Sequence, residues 1–240
     1  MGGPFPRRVT TVRYATGLVP ATMLRRIARF TIEAAVEGRA VRAHVANSAR
    51  ILELLAPGLP ALLRPVAAAA RSTSYDLVLV KTEGGWVSAD ARLPNLLIEE
   101  ALAAGRLERF KDCKLARREV PLGESRIDFL LACPTGPCLL EVKSVTLVQD
   151  GVALFPDCRT IRGARQLRLM AQAAADGQQA AIAFVVQRGD VHALRPFDDA
   201  DPDFGRALRE AAAAGVLVAA YRCHVSPCAS EIESEIPVLL

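Results

Sequence analysis

Two carboxylates and an ammonium group sit inside apolar runs in the stretch SRIDFLLACPTGPCLLEVKS, residues 125–144. Asp128 is in the first run, Glu141 and Lys143 in the second. A buried strand carries charge only where something compensates it. Taking CPTG (133–136) as a hairpin turn pairs positions that sum to 269, so Phe129 faces Leu140 and Asp128 faces Glu141. Side chains directly opposed on an antiparallel pair lie about 5 Å apart at Cβ, and two like charges there repel unless neutralised. Lys143 is two residues beyond Glu141 and projects from the same face. Two hard oxygen donors beside an ammonium suit a Mg²⁺ or Mn²⁺ ion, with positions left for a phosphate oxygen and an attacking water. A plainer arrangement uses the same residues: an ion pair of Asp128 or Glu141 with Lys143 or Arg126 on an exposed sheet edge. The apolar flanks Phe129–Leu131 and Leu139–Leu140 argue against such exposure.

The elements around this hairpin read as an α/β unit over residues 91–240. PNLLIEEALAAG opens with Pro94 and ends at Gly105, the asymmetry of a helix. RTIRGARQLRLMAQAAADG reads as a second helix, QAAIAFVVQR as a buried strand, DPDFGRALREAAAAG as a helix capped by Asp201, and VLVAAYRCHV as a strand. Helices alternating with strands in this way predict a mixed sheet. Residues 24–90 have a different character. Short alternating runs turn at Glu37-Gly38 and Gly84-Gly85, with SARILELLAPG as a short helix between them. That pattern predicts a small OB-like β-barrel. Residues 1–23 form an extension ahead of it.

The net charge of +4 is unevenly spread. Through Ser72 there are 11 Lys and Arg against 3 Asp and Glu, or +8, and the remainder has 19 against 23, or −4. A basic amino-terminal module beside a mildly acidic one suits a polyanion ligand. Arg25, Arg26, Arg29, Arg39 and Arg42 are the phosphate-contact candidates, with solvated surface arginines as the alternative. His44 and Asn47 are further nucleic-acid candidates, and Trp86 is a candidate for stacking or for packing on the barrel.

The composition, 51% hydrophobic and 23% charged, is that of a soluble globular chain. No apolar run approaches the roughly 20 residues that span a bilayer, and the first 30 residues lack the apolar core of a secretory signal. No membrane partner and a cytoplasmic location are expected. Six cysteines are then expected as free thiols, the alternative being zinc held by the pairs 133/138 and 223/228.

A helical Glu, a strand Asp and Glu-x-Lys on the next strand resemble the PD-(D/E)XK nuclease superfamily, archaeal Holliday-junction resolvases in particular. That resemblance implies metal-assisted phosphodiester hydrolysis. Asp128 and Glu141 would hold the metal and Lys143 would orient the water. Glu100, on the helix, would be the third ligand, and Glu119 is a weaker candidate. Resolvase-like sites work in pairs, so a homodimer is a possible state.

From about Leu24 onward the chain also resembles the sugar fermentation stimulation protein A family. The resemblance rests on RFTIEAAVEGRAVRAHVANS, LPNLLIEEAL, SRIDFLL, LEVKSVTLVQDGVALFPDCRTIRGARQL and AIAFVVQR. It implies an OB-fold followed by a nuclease-like domain, and a DNA-binding protein, with RNA as the second choice of polymer. In FPDCRTIRGARQ, Asp157 and Thr160 read as a turn and helix cap. Arg162, Arg165 and Gln166 are candidates to face the scissile phosphate. Three departures bear on the binding surface: Asn47-Ser48-Ala49 lacks the family's glycine, the basic segment is reduced to RSTSYD around Arg71, and Gln166 replaces a histidine. Two functions follow: a DNA-binding nuclease, or a non-cleaving DNA-binding regulator of sugar-metabolism genes.

Overall fold

The computed structural model describes residues 11–14, 17–67 and 72–240. Arg71 lies outside them. The described chain begins with β1 (Val12–Arg13), followed by β2 (Val19–Ala28), β3 (Thr31–Val36), β4 (Arg39–His44), β5 (Pro60–Pro65), β6 (Tyr75–Thr82) and β7 (Gly85–Ser88). Strands β2 to β6 make the barrel, in the order β4-β3-β2-β5-β6. A parallel β4–β6 pairing, Ala43 with Tyr75 and His44 with Asp76, closes it. Closure removes the free edges. Alternation supplies the interior: Met23, Ile32, Ala34, Ala43, Leu63 and Val80 point inward and are fully buried. Glu37 and Gly38 both take positive φ (49° and 78°), as a two-residue hairpin turn with the strands' twist requires.

Two expectations for this part change. Residues 19–23 belong to the barrel, whereas Val12 and Arg13 pair with Ser230 and Ala229 at the far end of the chain. ILELLAPG forms one 3₁₀ turn, Leu52–Leu54, in place of a short helix. Ile51 before it is left-handed (φ 39°) and Pro57 follows closely, leaving no room for propagation.

The second unit contains α1 (Leu93–Ala103), β8 (Lys114–Leu122), β9 (Ser125–Cys133), β10 (Gly136–Val145), β11 (Val148–Gln149), β12 (Val152–Phe155), α2 (Ile161–Ala175), β13 (Gln179–Val186), β14 (Ala193–Pro196), α3 (Pro202–Ala213), β15 (Leu217–Val225) and β16 (Ala229–Ile236). Its seven-stranded sheet runs β1-β16-β15-β13-β10-β9-β8. β10, β13 and β15 are mutually parallel and the outer pairings antiparallel, so the sheet is mixed. Helices α2 and α3 cover one face around Leu167, Phe184 and Phe204, and α1 covers the other around Ile98, Phe129 and Leu140. Asp201 caps α3 by accepting from Phe204 N (3.1 Å) and also accepts from Thr160 N (2.7 Å). Thr160 in turn caps α2 through Gly163 N (3.1 Å). Cys113 and Cys133 form a disulfide, contrary to the free thiols expected. Lys114 pairs with Ala132, and this register sets the two cysteines side by side at one end of the β8–β9 hairpin. Cys138, Cys158, Cys223 and Cys228 are free thiols.

Candidate functional site

The β9–β10 hairpin has the anticipated register: Gly136 pairs with Cys133 and Leu140 with Phe129. The backbone ladder stops there, one position short of Asp128 and Glu141. The next bonds are made by the carboxylates themselves. Glu141 Oε2 accepts from Asp128 N (3.3 Å), and Asp128 Oδ2 accepts from Val142 N (2.8 Å). Each side chain takes the place of the opposite strand's carbonyl, which fixes both acids where the strands part.

On the other side of β9 the chain is bent at the same point. Arg118 pairs with Phe129 and Val120 with Ile127, which leaves Glu119 opposite Asp128. Glu119 has φ 53°, a left-handed conformation that costs a non-glycine residue on the order of 1 kcal/mol. The bend turns the strand over. Phe129 packs on the α1 face while Ile127, two residues away, packs on the α2 face. Asp128 therefore sits at a twist between the two cores, and Glu119 itself points to solvent.

Lys143 completes the cluster. Its Nζ donates to Glu141 Oε1 (2.5 Å) and to Gln166 Oε1 (2.8 Å). Gln166, almost fully buried on α2, donates through Nε2 to Arg126 O (2.9 Å). Both ends of the amide are thus used to hold the lysine in place. Glu141 is 4% exposed. Burial, helped by the neighbouring Asp128 charge, pushes its carboxyl above the usual range, and the Lys143 ammonium works against that rise.

The structure brings Asp128, Glu141, Lys143 and Gln166 together and leaves Glu100 out. Among the described residues Glu100 forms no side-chain hydrogen bond or ion pair, and no three His, Cys, Asp or Glu side chains are grouped closely enough to hold a metal. The α1 side chain that does reach the cluster is Asn95, whose Nδ2 donates to Asp128 Oδ1 (3.1 Å). Glu99, one turn further along the same face, pairs with Arg118 of β8. LPNLLIEEAL draws attention to its glutamates, and the only sign of Asn95's part is its place in the first turn, one turn ahead of Glu99.

Two carboxylates without a third still fit a divalent cation. Mg²⁺ is commonly held by one or two carboxylates, with water and phosphate oxygens filling the remaining positions. Among the described residues each oxygen of Asp128 accepts one hydrogen bond, from a neutral donor, so a lone pair remains on each.

The nucleic-acid candidates divide into two groups. Asn47 is a structural residue: it is 5% exposed, its Nδ2 donates to Ala89 O and its Oδ1 accepts from Ala49 N. Arg26 is likewise committed, donating to the carbonyls of Ala28, Arg29 and Arg50. Arg25 is exposed and pairs with Glu33 across the β2–β3 ladder (2.8 Å), and Arg42 lies opposite Glu33 from β4. Arg29 and His44 flank Phe30, at 5.2 Å and 6.2 Å from its ring centroid. Trp86 is covered by Lys81, whose Nζ lies 5.5 Å from the ring. Arg162 and Arg165 are exposed on the first turns of α2, Arg165 within 3.6 Å of Glu124. Asp157, read as a turn residue, also reaches the other unit. Its Oδ2 accepts from Ile51 N (2.8 Å) and so ties the barrel to the α/β unit.

A closed five-stranded OB barrel joined to a mixed α/β sheet, with two acids and a lysine where its central hairpin parts, defines a two-unit architecture. One family model, described as the SfsA N-terminal OB domain, matches residues 24–89, and a second, the sugar fermentation stimulation protein RE domain, matches 92–229. The chain belongs to the SfsA family. It is 46% identical to the sugar fermentation stimulation protein homolog of Moorella thermoacetica, over 95% of this chain and 100% of that protein. The Chloroflexus aurantiacus homolog is 45% identical, over 92% and 85%. The solved structure of Pyrococcus furiosus SfsA in complex with Ca²⁺ superposes with a TM-score of 0.88 at 29% identity, over 96% of this chain and 99% of that one. No helix among the described residues is long and apolar enough to cross a membrane.

Proposed function

We propose that the chain is a DNA-binding protein that hydrolyses phosphodiester bonds at Asp128, Glu141 and Lys143 with the help of Mg²⁺ or Mn²⁺. The observation that carries this reading is the end of the β9–β10 ladder. There two carboxylates are held by each other's backbone, with one ammonium clamped between Glu141 and Gln166. Such mutual fixing places hard oxygen donors without using up their lone pairs. Asp128 and Glu141 would hold the divalent ion, which would supply positive charge against a phosphate and acidify a water. Lys143 donates hydrogen bonds beside the site and orients what it binds, Gln166 keeps the lysine there, and Asn95 sets the plane of Asp128. The relative of known structure was solved in complex with Ca²⁺, an ion of the same ligand preference. In this reading the chain works in the cytoplasm, beside its DNA.

A second reading has its own support. The 2.5 Å Glu141–Lys143 ion pair already neutralises one acid, as a site inherited by a non-cleaving regulator would allow. The test is cleavage of end-labelled single-stranded, duplex and branched DNA with Mn²⁺ or EDTA, beside Asp128→Ala. The expected result is cutting that needs the metal and disappears in the variant. Retarded DNA that stays whole under every metal condition would sink the hydrolase reading and leave the regulator. Light scattering on the same sample shows whether a homodimer forms.

A further inference from the structure

A soluble barrel gains by burying its aromatic residues, yet Phe30, at the β2–β3 turn, is 40% exposed. Ile27 nearby in sequence is 42% exposed and Leu52 is 62% exposed. Neither ordinary packing nor barrel closure accounts for Phe30, because the interior is already filled from the opposite face of the strands. A guanidinium and an imidazole flank the ring. Arg29 lies over it at 5.2 Å and His44 stands beside it at 6.2 Å, tilted by 38°. The neighbouring segment is drawn close by the arginines: Arg29 donates to Ser48 O (3.4 Å) and Arg26 to Arg50 O (2.8 Å). Arg50 itself is exposed.

This surface continues into the candidate site. The residue after Arg50 is Ile51, whose N–H binds Asp157. Arg159 follows two residues later and is exposed, as is Arg162 on the first turn of α2. One turn on, Gln166 holds Lys143. The exposed arginines Arg29, Arg50, Arg159 and Arg162 thus lie on the segments that connect the exposed ring, through these contacts, to the two carboxylates.

We infer that Phe30, flanked by Arg29 and His44, is a stacking platform for an unpaired base of a single-stranded nucleic acid whose backbone follows those arginines. The inference rests on the nucleic-acid reading above for its partner, but not on cleavage. An aromatic face takes any unpaired base, and arginines beside it take the phosphates without reading sequence. Duplex DNA, with its bases stacked inside, presents nothing to the ring.

The test is fluorescence anisotropy on the full chain in EDTA, which separates binding from hydrolysis. The probes are an oligo-dT, an oligo-rU, an abasic strand of equal length and a duplex. Phe30→Ala should weaken dT binding about tenfold and leave the abasic strand and the duplex unchanged, with the salt slope unaltered. Phe30→Tyr should restore the affinity, and Arg29→Ala should reduce the slope by about 0.7. Tighter binding of rU than dT keeps the platform and assigns RNA. The inference is overturned if Phe30→Ala binds dT within twofold of the parent, if it weakens all four probes alike, or if the parent binds none of them. Circular dichroism of the variants checks that the fold is kept. Failed cleavage with the Phe30 effect intact sinks only the hydrolase reading.

Discussion

Asp128 shows how little local freedom the candidate site has. Its two oxygens are held by groups on different elements, Asn95 of α1 and Val142 N of β10, and its own N–H is held by Glu141. Removing Asn95 frees the carboxylate to rotate while leaving the fold almost untouched, since Asn95 is only half-buried. Asn95→Ala should therefore lower Mn²⁺ or Ca²⁺ affinity about 10- to 100-fold, read by titration calorimetry, with thermal stability within about 1 kcal/mol of the parent. An unchanged affinity would remove Asn95 from the site. The hairpin register and the nearness of Asp128, Glu141 and Lys143 were legible in the sequence because apolar alternation and the CPTG turn admit a simple pairing. The bend at Glu119 and the part played by Asn95 were not. A left-handed glutamate and a helix-to-strand hydrogen bond leave no mark on periodicity.

Helices were easier to read than edges. Pro94, Thr160 and Asp201 announce α1, α2 and α3, because capping and first-turn chemistry are local. β16 carries no strand signal of its own in the sequence. ASEIESEI has a charged residue at nearly every other position, and it becomes a strand by pairing with β15 and β1, partners that only the tertiary fold supplies. The Leu52–Leu54 turn illustrates the same dependence. Its Glu53 is drawn against the second unit, where Thr146 Oγ1 donates to it (3.1 Å). Burial there, with Asp157 adding to it, raises the Glu53 carboxyl above its usual range. A carboxyl whose folded-state pKa exceeds its unfolded one stabilises the fold below the unfolded value and loses that contribution as pH rises through the folded one. Glu53→Gln keeps an acceptor for Thr146 and removes the buried charge. Melting curves should show the variant more stable than the parent near pH 8, with the difference vanishing near pH 4. The opposite order would mean that Arg188, which lowers the Glu53 carboxyl, outweighs desolvation.

At the scale of the whole molecule, the barrel and the sheet are joined by more than one chain passage. Asp157 binds Ile51 N, Thr146 binds Glu53, and Gln187 O accepts from Ser88 N (3.3 Å) while its Nε2 donates to Asp90 O (3.1 Å). A single cooperative unfolding transition fits such a seam. Within it, the Cys113–Cys133 bond closes a loop with a sequence separation of 20. Reduction of an oxidised sample should lower the unfolding free energy by about 3 kcal/mol, measured by urea denaturation with and without dithiothreitol. An unchanged midpoint would show that the thiols carry no weight in the folded balance. Spacing along the chain groups Cys133 with Cys138, whereas its bonded partner is set by the β8–β9 register.

β1 makes the barrel a guest inside its host. Residues 12 and 13 are woven into the edge of the α/β sheet before the barrel begins at Val19, and the chain returns to that unit at Leu93. Exchanging or excising the barrel therefore requires two junctions, one on either side. A fragment cut only before Leu93 would lose the lining strip of β16 and carry a raw edge, ready to recruit any extended segment, its own copies first.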